Sequence, residues 1–345
     1  MHRLASAARQ VEPEAIDGAG RAPYSLRIRV TQLEPALTET AEMRPAPPAG
    51  LARWGLQILL VVLAVAWGAT VSLTTVFMES GIDPLVATFW SSVVGVVLLS
   101  LYLGVCGLRP PMSPRHLLLY VTCGFLGTAL PSVLAFASAE HLSAGVRSIL
   151  FALIPMMTLA MAAALGRERT GPMRLLGLVL GAASVLVLLQ PGDETVTPAQ
   201  YIWIVASIGT VTCYALENIV IDTLRPEGLD SFVALWGMML MACLMTFPVL
   251  LWRDVPLLPP FGLDRYGSSF VLMSCLNVLC YGGYIVLIGR AGPVFASQTS
   301  YLTPPTGILW GVIILSETVT ATIVASVVLA LIGIALVRPR EGHRG

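Results

Sequence analysis

Hydrophobic residues along this chain do not alternate, and they do not confine themselves to one face of a helical wheel. They fill long uninterrupted runs separated by short breaks rich in proline, glycine and charge. The runs predict helices over 55–77, 84–106, 116–138, 142–165, 173–190, 200–223, 230–252, 267–288, 293–316 and 319–337. A helix rising 1.5 Å per residue needs about 20 apolar residues to cross a bilayer core, and these segments are of that size. A helix that is apolar all round must be buried or lie in lipid. With 56% hydrophobic and 12% charged residues and a mean hydropathy of +0.81, against about 25% charged in ordinary soluble domains, the chain reads as an all-α polytopic membrane protein.

The ten predicted helices divide into two copies of one unit. Pro155 and Glu168 stand thirteen residues apart, and so do Pro304 and Glu317; the offset between the pairs is 149. At the same offset Ser148 falls on Ser297, Gly177-x-x-x-Gly181 falls on Ser326-x-x-x-Ala330, and the third helix lies over the eighth without a gap. Five is odd, so the second copy must enter the membrane upside down. The expected fold is therefore ten transmembrane helices as two inverted five-helix repeats, an arrangement characteristic of secondary transporters. The repeats run over 51–191 and 197–338, between a disordered cytoplasmic N-terminal tail, 1–50, and a short C-terminal tail, 339–345.

The N-terminal stretch holds six Arg, six Asp or Glu and the Ala-Pro-rich segment Pro45 to Pro48, and no apolar run that would serve as a signal peptide. Met43 stands just before the first apolar run, so starts at Met1 and at Met43 both stay open. Between the helices, Arg109, Arg115, Arg167, Arg169, Arg174, Arg225 and Arg290 fall on one side, joined by Arg338, Arg340 and Arg344 of the C-terminal tail. The other side holds only Arg253 and Arg265, beside the acids Glu79, Asp83, Glu140, Asp193 and Glu194. The positive-inside rule then puts both termini in the cytoplasm.

Charge and composition remove several classes of function. Twenty basic residues balance twenty acidic ones, and all the basic ones are Arg, which argues against a nucleic-acid partner and excludes lysine Schiff-base chemistry. The six cysteines show neither C-x-x-C nor metal-ligand spacing. Only His116 and His141 lie outside the tails, too few for a metal site or a triad. No cofactor, no metal and no catalytic residue is expected. No Gly-x-x-x-x-Gly-Lys loop is present to couple ATP.

Ser143-Ala144-Gly145-Val146 through Pro155 to Glu168-Arg169-Thr170, Trp67-Gly68 in the first helix, and Leu315-Ser316-Glu317 closing the ninth together resemble the drug/metabolite transporter superfamily, in its ten-helix branch with two EamA-type repeats. The resemblance covers 55–337 and implies an inner-membrane carrier with a central cavity between the repeats, usually an exporter of amino acids, metabolites or drugs. It names no substrate. Many members carry a basic residue early in the second helix, where this chain has Thr88-Phe89-Trp90-Ser91. The cavity also offers at most Arg147 and no lysine, which disfavours phosphate-bearing substrates.

Intramembrane charge costs a few kcal/mol or more, so each such residue is a functional candidate. Arg147 lies near the N-terminus of the fourth helix, where the helix dipole repels a cation. It should face Glu140, Glu79, Asp83 or a substrate carboxylate. Glu217 lies toward the C-terminus of the sixth helix, where the apolar setting and the dipole both disfavour an anion. A carboxyl there that exchanges protons suits proton-coupled export; the alternative is an acid reaching the interface or bonded to a neighbouring helix. The two differ by about 19 Å in depth at 1.5 Å per residue and are not each other's partner.

Prolines inside helices free backbone groups that line a watery cavity or are satisfied by packing. Symmetry favours Pro155 and Pro304 as its floor. Trp67, Ser148, Asn277, Tyr281, Gln298 and Tyr301 are the remaining substrate-binding candidates, with Gln298 and Tyr301 on one face of the ninth helix by their i, i+3 spacing. Glu168 and Glu317 each end a helix and are read as organising tight turns. Gly177-x-x-x-Gly181 permits close packing, within the chain or in a homodimer.

These readings point to a secondary transporter that exports a small metabolite, amino acid or drug by alternating access. Import by the same fold and a sensor or scaffold that does not transport are the alternatives. An intramembrane enzyme would need a zinc motif, an aspartate pair or a serine with its base, and the sequence has none of these.

Overall fold

The computed structural model describes residues 51–337 apart from 168–170, 191–195, 227, 292 and 297, and among the described residues every regular element is a helix. The expectations placed on the two tails, on Glu168 and on Ser297 lie outside the described residues. In chain order the elements are α1 (Leu51–Met78), α2 (Pro84–Cys106), α3, α4, α5 (Pro172–Leu188), α6 (Tyr201–Leu224), α7 (Ser231–Trp252), α8 (Arg265–Ala291), α9 (Thr299–Leu315) and α10 (Ala321–Val337). Two are interrupted. α3 consists of Pro114–Cys123, a π-helical stretch Gly124–Ala129, and Leu130–Ala139. α4 consists of Ala144–Phe151 and Ile154–Ala164.

Among the described residues, seven helices are long and apolar enough to cross a bilayer by length and composition, and α5 and α10 are shorter apolar helices. The ten predicted runs correspond one to one with α1–α10. The largest boundary difference is at α9, which starts at Thr299 rather than at 293, after a separate turn of helix at Pro293–Ala296.

Local sequence accounts for the ends. The Asp83 carboxylate accepts from Leu85 N at 2.8 Å, with Pro84 in the first turn, and α2 ends at Gly107 with φ 66°. Ser143 accepts from Val146 N at 3.2 Å to open α4, and Asp230 accepts from Phe232 N at 2.8 Å to open α7. α9 stops at Ser316, whose φ of 55° is a left-handed conformation.

The way the helices pair shows the duplication in three dimensions. α1 packs on α8 and α9, and their symmetry equivalents α6, α3 and α4 pack in the same way, α6 on α3 and on the second half of α4. α2 pairs with α7, α4 with α9 and α5 with α10, each helix with its own counterpart. A pseudo-two-fold relation between the repeats requires this pattern, because an element near the axis must meet its own copy. Gly177 backs onto the Gly333 carbonyl, where an added Cβ would come within 2.7 Å, and Gly181 faces Met156. The small-residue motif is thus used inside the chain, at the α5–α10 crossing. Around the outside, Ile58, Leu101, Val205, Leu186 and Ile313 are exposed and apolar, the surface a lipid environment calls for.

Candidate functional site

Between the two repeats lies a cavity of about 690 Å³, within the size range of small-molecule sites. α1 contributes Trp67 and Val71, α3 Gly127 and Thr128, α4 Ser148, Pro155 and Thr158, α6 Tyr214 and Glu217, α8 Asn277, Tyr281 and Tyr284, and α9 Tyr301 and Pro304. At one end it reaches Arg174 in the first turn of α5 and Val337 at the end of α10. Glu217 and Arg174 are the charged side chains among the described lining residues.

The Glu217 carboxylate is buried to 5% exposure. Among the described residues no donor lies on it. It reaches the cavity wall because α3 gives way: Gly127 sits in the π-helical stretch, and a Cβ built there would collide with both carboxylate oxygens. The neighbouring Gly124 lies as tightly on α7, where a Cβ would be 2.8 Å from the Met238 carbonyl. A π-bulge inserts one extra residue into a turn, and such bulges concentrate at functional sites. Gly124-x-x-Gly127 was the sequence signal for this close approach, and Glu217 alone does not reveal it.

Aromatic side chains stand beside the acid. Trp67 contacts Tyr281 with ring centroids 5.7 Å apart and planes at 86°, and Tyr284 at 5.6 Å and 62°. Tyr281 is within electrostatic reach of Glu217, Tyr214 and Tyr284. Asn218, next along α6, donates to Thr158 Oγ1 at 3.2 Å. The Tyr301 hydroxyl donates to the Ile334 carbonyl at 3.2 Å. Ser148 Oγ has no partner among the described residues and lies against the backbone of Gly307.

The two family-like prolines behave differently. α4 breaks at Ala152 and Leu153, just before Pro155, and Leu153 N turns to the Leu150 carbonyl at 3.0 Å. α9 runs unbroken through Pro304 and Pro305. Threonine hydroxyls supply donors across that turn: Thr303 to the Thr299 carbonyl at 2.9 Å, and Thr306 to the Leu302 carbonyl at 2.9 Å and the Ala64 carbonyl of α1 at 3.0 Å.

Three placements differ from expectation. Arg147, only 1% exposed, is not among the residues lining the cavity. Its guanidinium donates to the Val71 carbonyl at 2.6 Å and to Thr75 Oγ1, both of α1. None of the three acids expected to face it does so: Asp83 pairs with Arg253 at 3.2 Å, Glu79 with Arg265 at 3.7 Å, and Glu140 with His141 at 3.8 Å. Glu317 is the acid whose charge Arg147 feels. Gln298 is the N-cap of α9, exposed and outside the lining residues, whereas Tyr301 lines the cavity.

Glu317, expected to shape its own turn, also reaches into the other repeat. Its carboxylate accepts from Ala144 N at 2.6 Å and Gly145 N at 3.0 Å, the first free N–H groups of α4. The anion lies where a helix N-terminus is most favourable to it. At this end α9 is tied to α4 by Glu317 and α4 to α1 by Arg147, while the opposite end holds the cavity's extension to Arg174.

A model of the EamA-like transporter family matches the chain twice, over 54–190 and 201–338. One solved crystal structure of a protein is similar at a TM-score of 0.57 and 14% identity, over 83% of this chain and 97% of that one; at such identity the likeness concerns the fold. The comparison with curated proteins gave no match.

Proposed function

Since the chain belongs to the EamA-like transporter family, we propose that it exports a small metabolite, amino acid or drug across the inner membrane by alternating access, with Glu217 as the proton-coupling group. The observation that carries this reading is a buried carboxylate on a cavity wall with no donor among the described residues. An anion left without partners in an apolar setting is costly, and taking up a proton or a cationic ligand removes the cost. The titratable neighbours facing it are Cys123 of α3, Cys213 and Tyr214 of α6 and Tyr281 of α8. These are thiols and phenols, so Glu217 is the one carboxyl in the group.

The two ends suit an export cycle. Arg174, at one end of the cavity, belongs with the arginine-rich connections that the positive-inside rule assigns to the cytoplasm, together with both termini. The end closed by Glu317 and Arg147 then faces outward. In the proposed export cycle substrate loads from the Arg174 end, and the rocking of one repeat against the other exchanges the two ends. Trp67, Ser148, Asn277, Tyr281 and Tyr301 are the proposed substrate contacts, over the floor formed by Pro155 and Pro304.

The test has two stages. An export screen over amino acids and toxic analogues, in cells with and without the protein, supplies a transported compound. Its flux is then followed in proteoliposomes under an imposed pH gradient. Glu217→Gln should abolish pH-driven flux; a Gln variant whose flux keeps the wild-type pH dependence would end the proton-coupling assignment.

A further inference from the structure

We infer that the cavity selects organic cations, gripping the charge between the Glu217 carboxylate and the aromatic corner of Trp67, Tyr281 and Tyr284. The inference rests on the transporter reading above and adds the substrate's chemistry. Four observations carry it. The carboxylate is nearly wholly buried, lines the cavity and has no donor among the described residues, so a cation is the partner that the site lacks. Trp67 meets Tyr281 and Tyr284 edge to face, with planes at 86° and 62°, and all three rings line the cavity, an aromatic wall of the kind that attracts a positive charge. Tyr281 feels the Glu217 charge, which puts the corner and the acid in one field.

The fourth observation concerns the positive groups. An anionic substrate would need a cation at the same depth, and Arg147 donates instead to Val71 and Thr75, outside the lining. Arg174 lies in the first turn of α5, at the cavity's end. A bare metal ion does not suit the site either. Among the described residues no group of three or more His, Cys, Asp or Glu comes together, and one carboxylate in about 690 Å³ cannot replace a hydration shell of six or so oxygens. The apolar part of the wall, including Leu235, Met238 and Met239, calls for a cation with a hydrocarbon body.

Binding of radiolabelled benzyltrimethylammonium to the purified full-length protein tests this, with phenylacetate as the anionic competitor of similar size. Wild type should bind the cation saturably, and phenylacetate should not displace it. Glu217→Gln and Trp67→Ala should each weaken binding about tenfold or more, while Glu217→Asp, which keeps the charge, should stay within about threefold. Each variant is first checked for a monodisperse profile on size exclusion, and Asp covers the case in which Gln does not fold. No saturable binding, displacement by phenylacetate, or wild-type affinity in a monodisperse Gln variant would overturn the inference. The assay needs no gradient, so its failure is separable from that of the transporter reading. Flux of neutral or anionic compounds without cation binding sinks the cation class alone. Cation binding with no flux of any compound in proteoliposomes sinks transport and leaves the site.

Discussion

Two carboxylates of the second repeat, Glu217 and Glu317, meet opposite fates. Glu317 accepts two backbone N–H groups at the start of α4, at 2.6 and 3.0 Å, in the field of a helix N-terminus. Its charge is compensated by the fold, and it joins α9 to α4 across the repeat boundary. Glu217 is the more deeply buried of the two, yet it lies against a glycine of a π-helical stretch and has no donor among the described residues. One anion holds the bundle closed at one end. The other is left available to whatever enters the cavity. The contrast teaches that an intramembrane acid is assigned by its donors rather than by its depth.

Breaking the cavity side should have the largest effect. Gly127→Val puts a branched side chain into the Glu217 carboxylate, and flux should fall by more than about tenfold while stability drops about 1–3 kcal/mol by overpacking. Removing the acid in a Gly127→Val, Glu217→Ala double variant should recover part of that stability, a coupling that thermal unfolding would read. Additive losses would mean that the two do not touch. At the closed end, Arg147→Ala loses both hydrogen bonds to α1 and leaves a void. Unfolding should become easier by about 2–4 kcal/mol, and cation and carboxylate binding should change alike; a selective loss of carboxylate binding would return Arg147 to the site. Glu317→Gln keeps one of the two acceptors, sets an amide NH2 against the other N–H and gives up the charge. It should cost about 2 kcal/mol and leave the pH dependence of flux intact; loss of that dependence here, with retention in Glu217→Gln, would exchange the two roles. The smallest effect is expected at Gly104, where a Cβ meets nothing within 4 Å. Gly104→Ala should move unfolding by about 1 kcal/mol or less, in the stabilising direction, without changing flux.

The chain's pattern of apolar runs was enough to read ten helices and an inverted duplication, because a lipid-exposed backbone must satisfy its own hydrogen bonds and only a helix of the right length does so within one segment. The offset that brings Pro155 onto Pro304 was legible for the same reason, since repeats keep their breaks at fixed places along the chain. The site was legible only in part. Glu217 drew notice as a charge in an apolar run, Tyr281 as an amphipathic ring in another, and Trp67 also through the Trp67-Gly68 pair that carries the family resemblance. Which way Arg147 turns, that Gln298 precedes its helix, and that Glu317 caps a helix more than 170 residues away in sequence depend on how the two repeats interlock. Contacts between residues so far apart leave no local period or spacing in the sequence. Only the packed bundle decides which polar groups find partners and which are left to face the cavity.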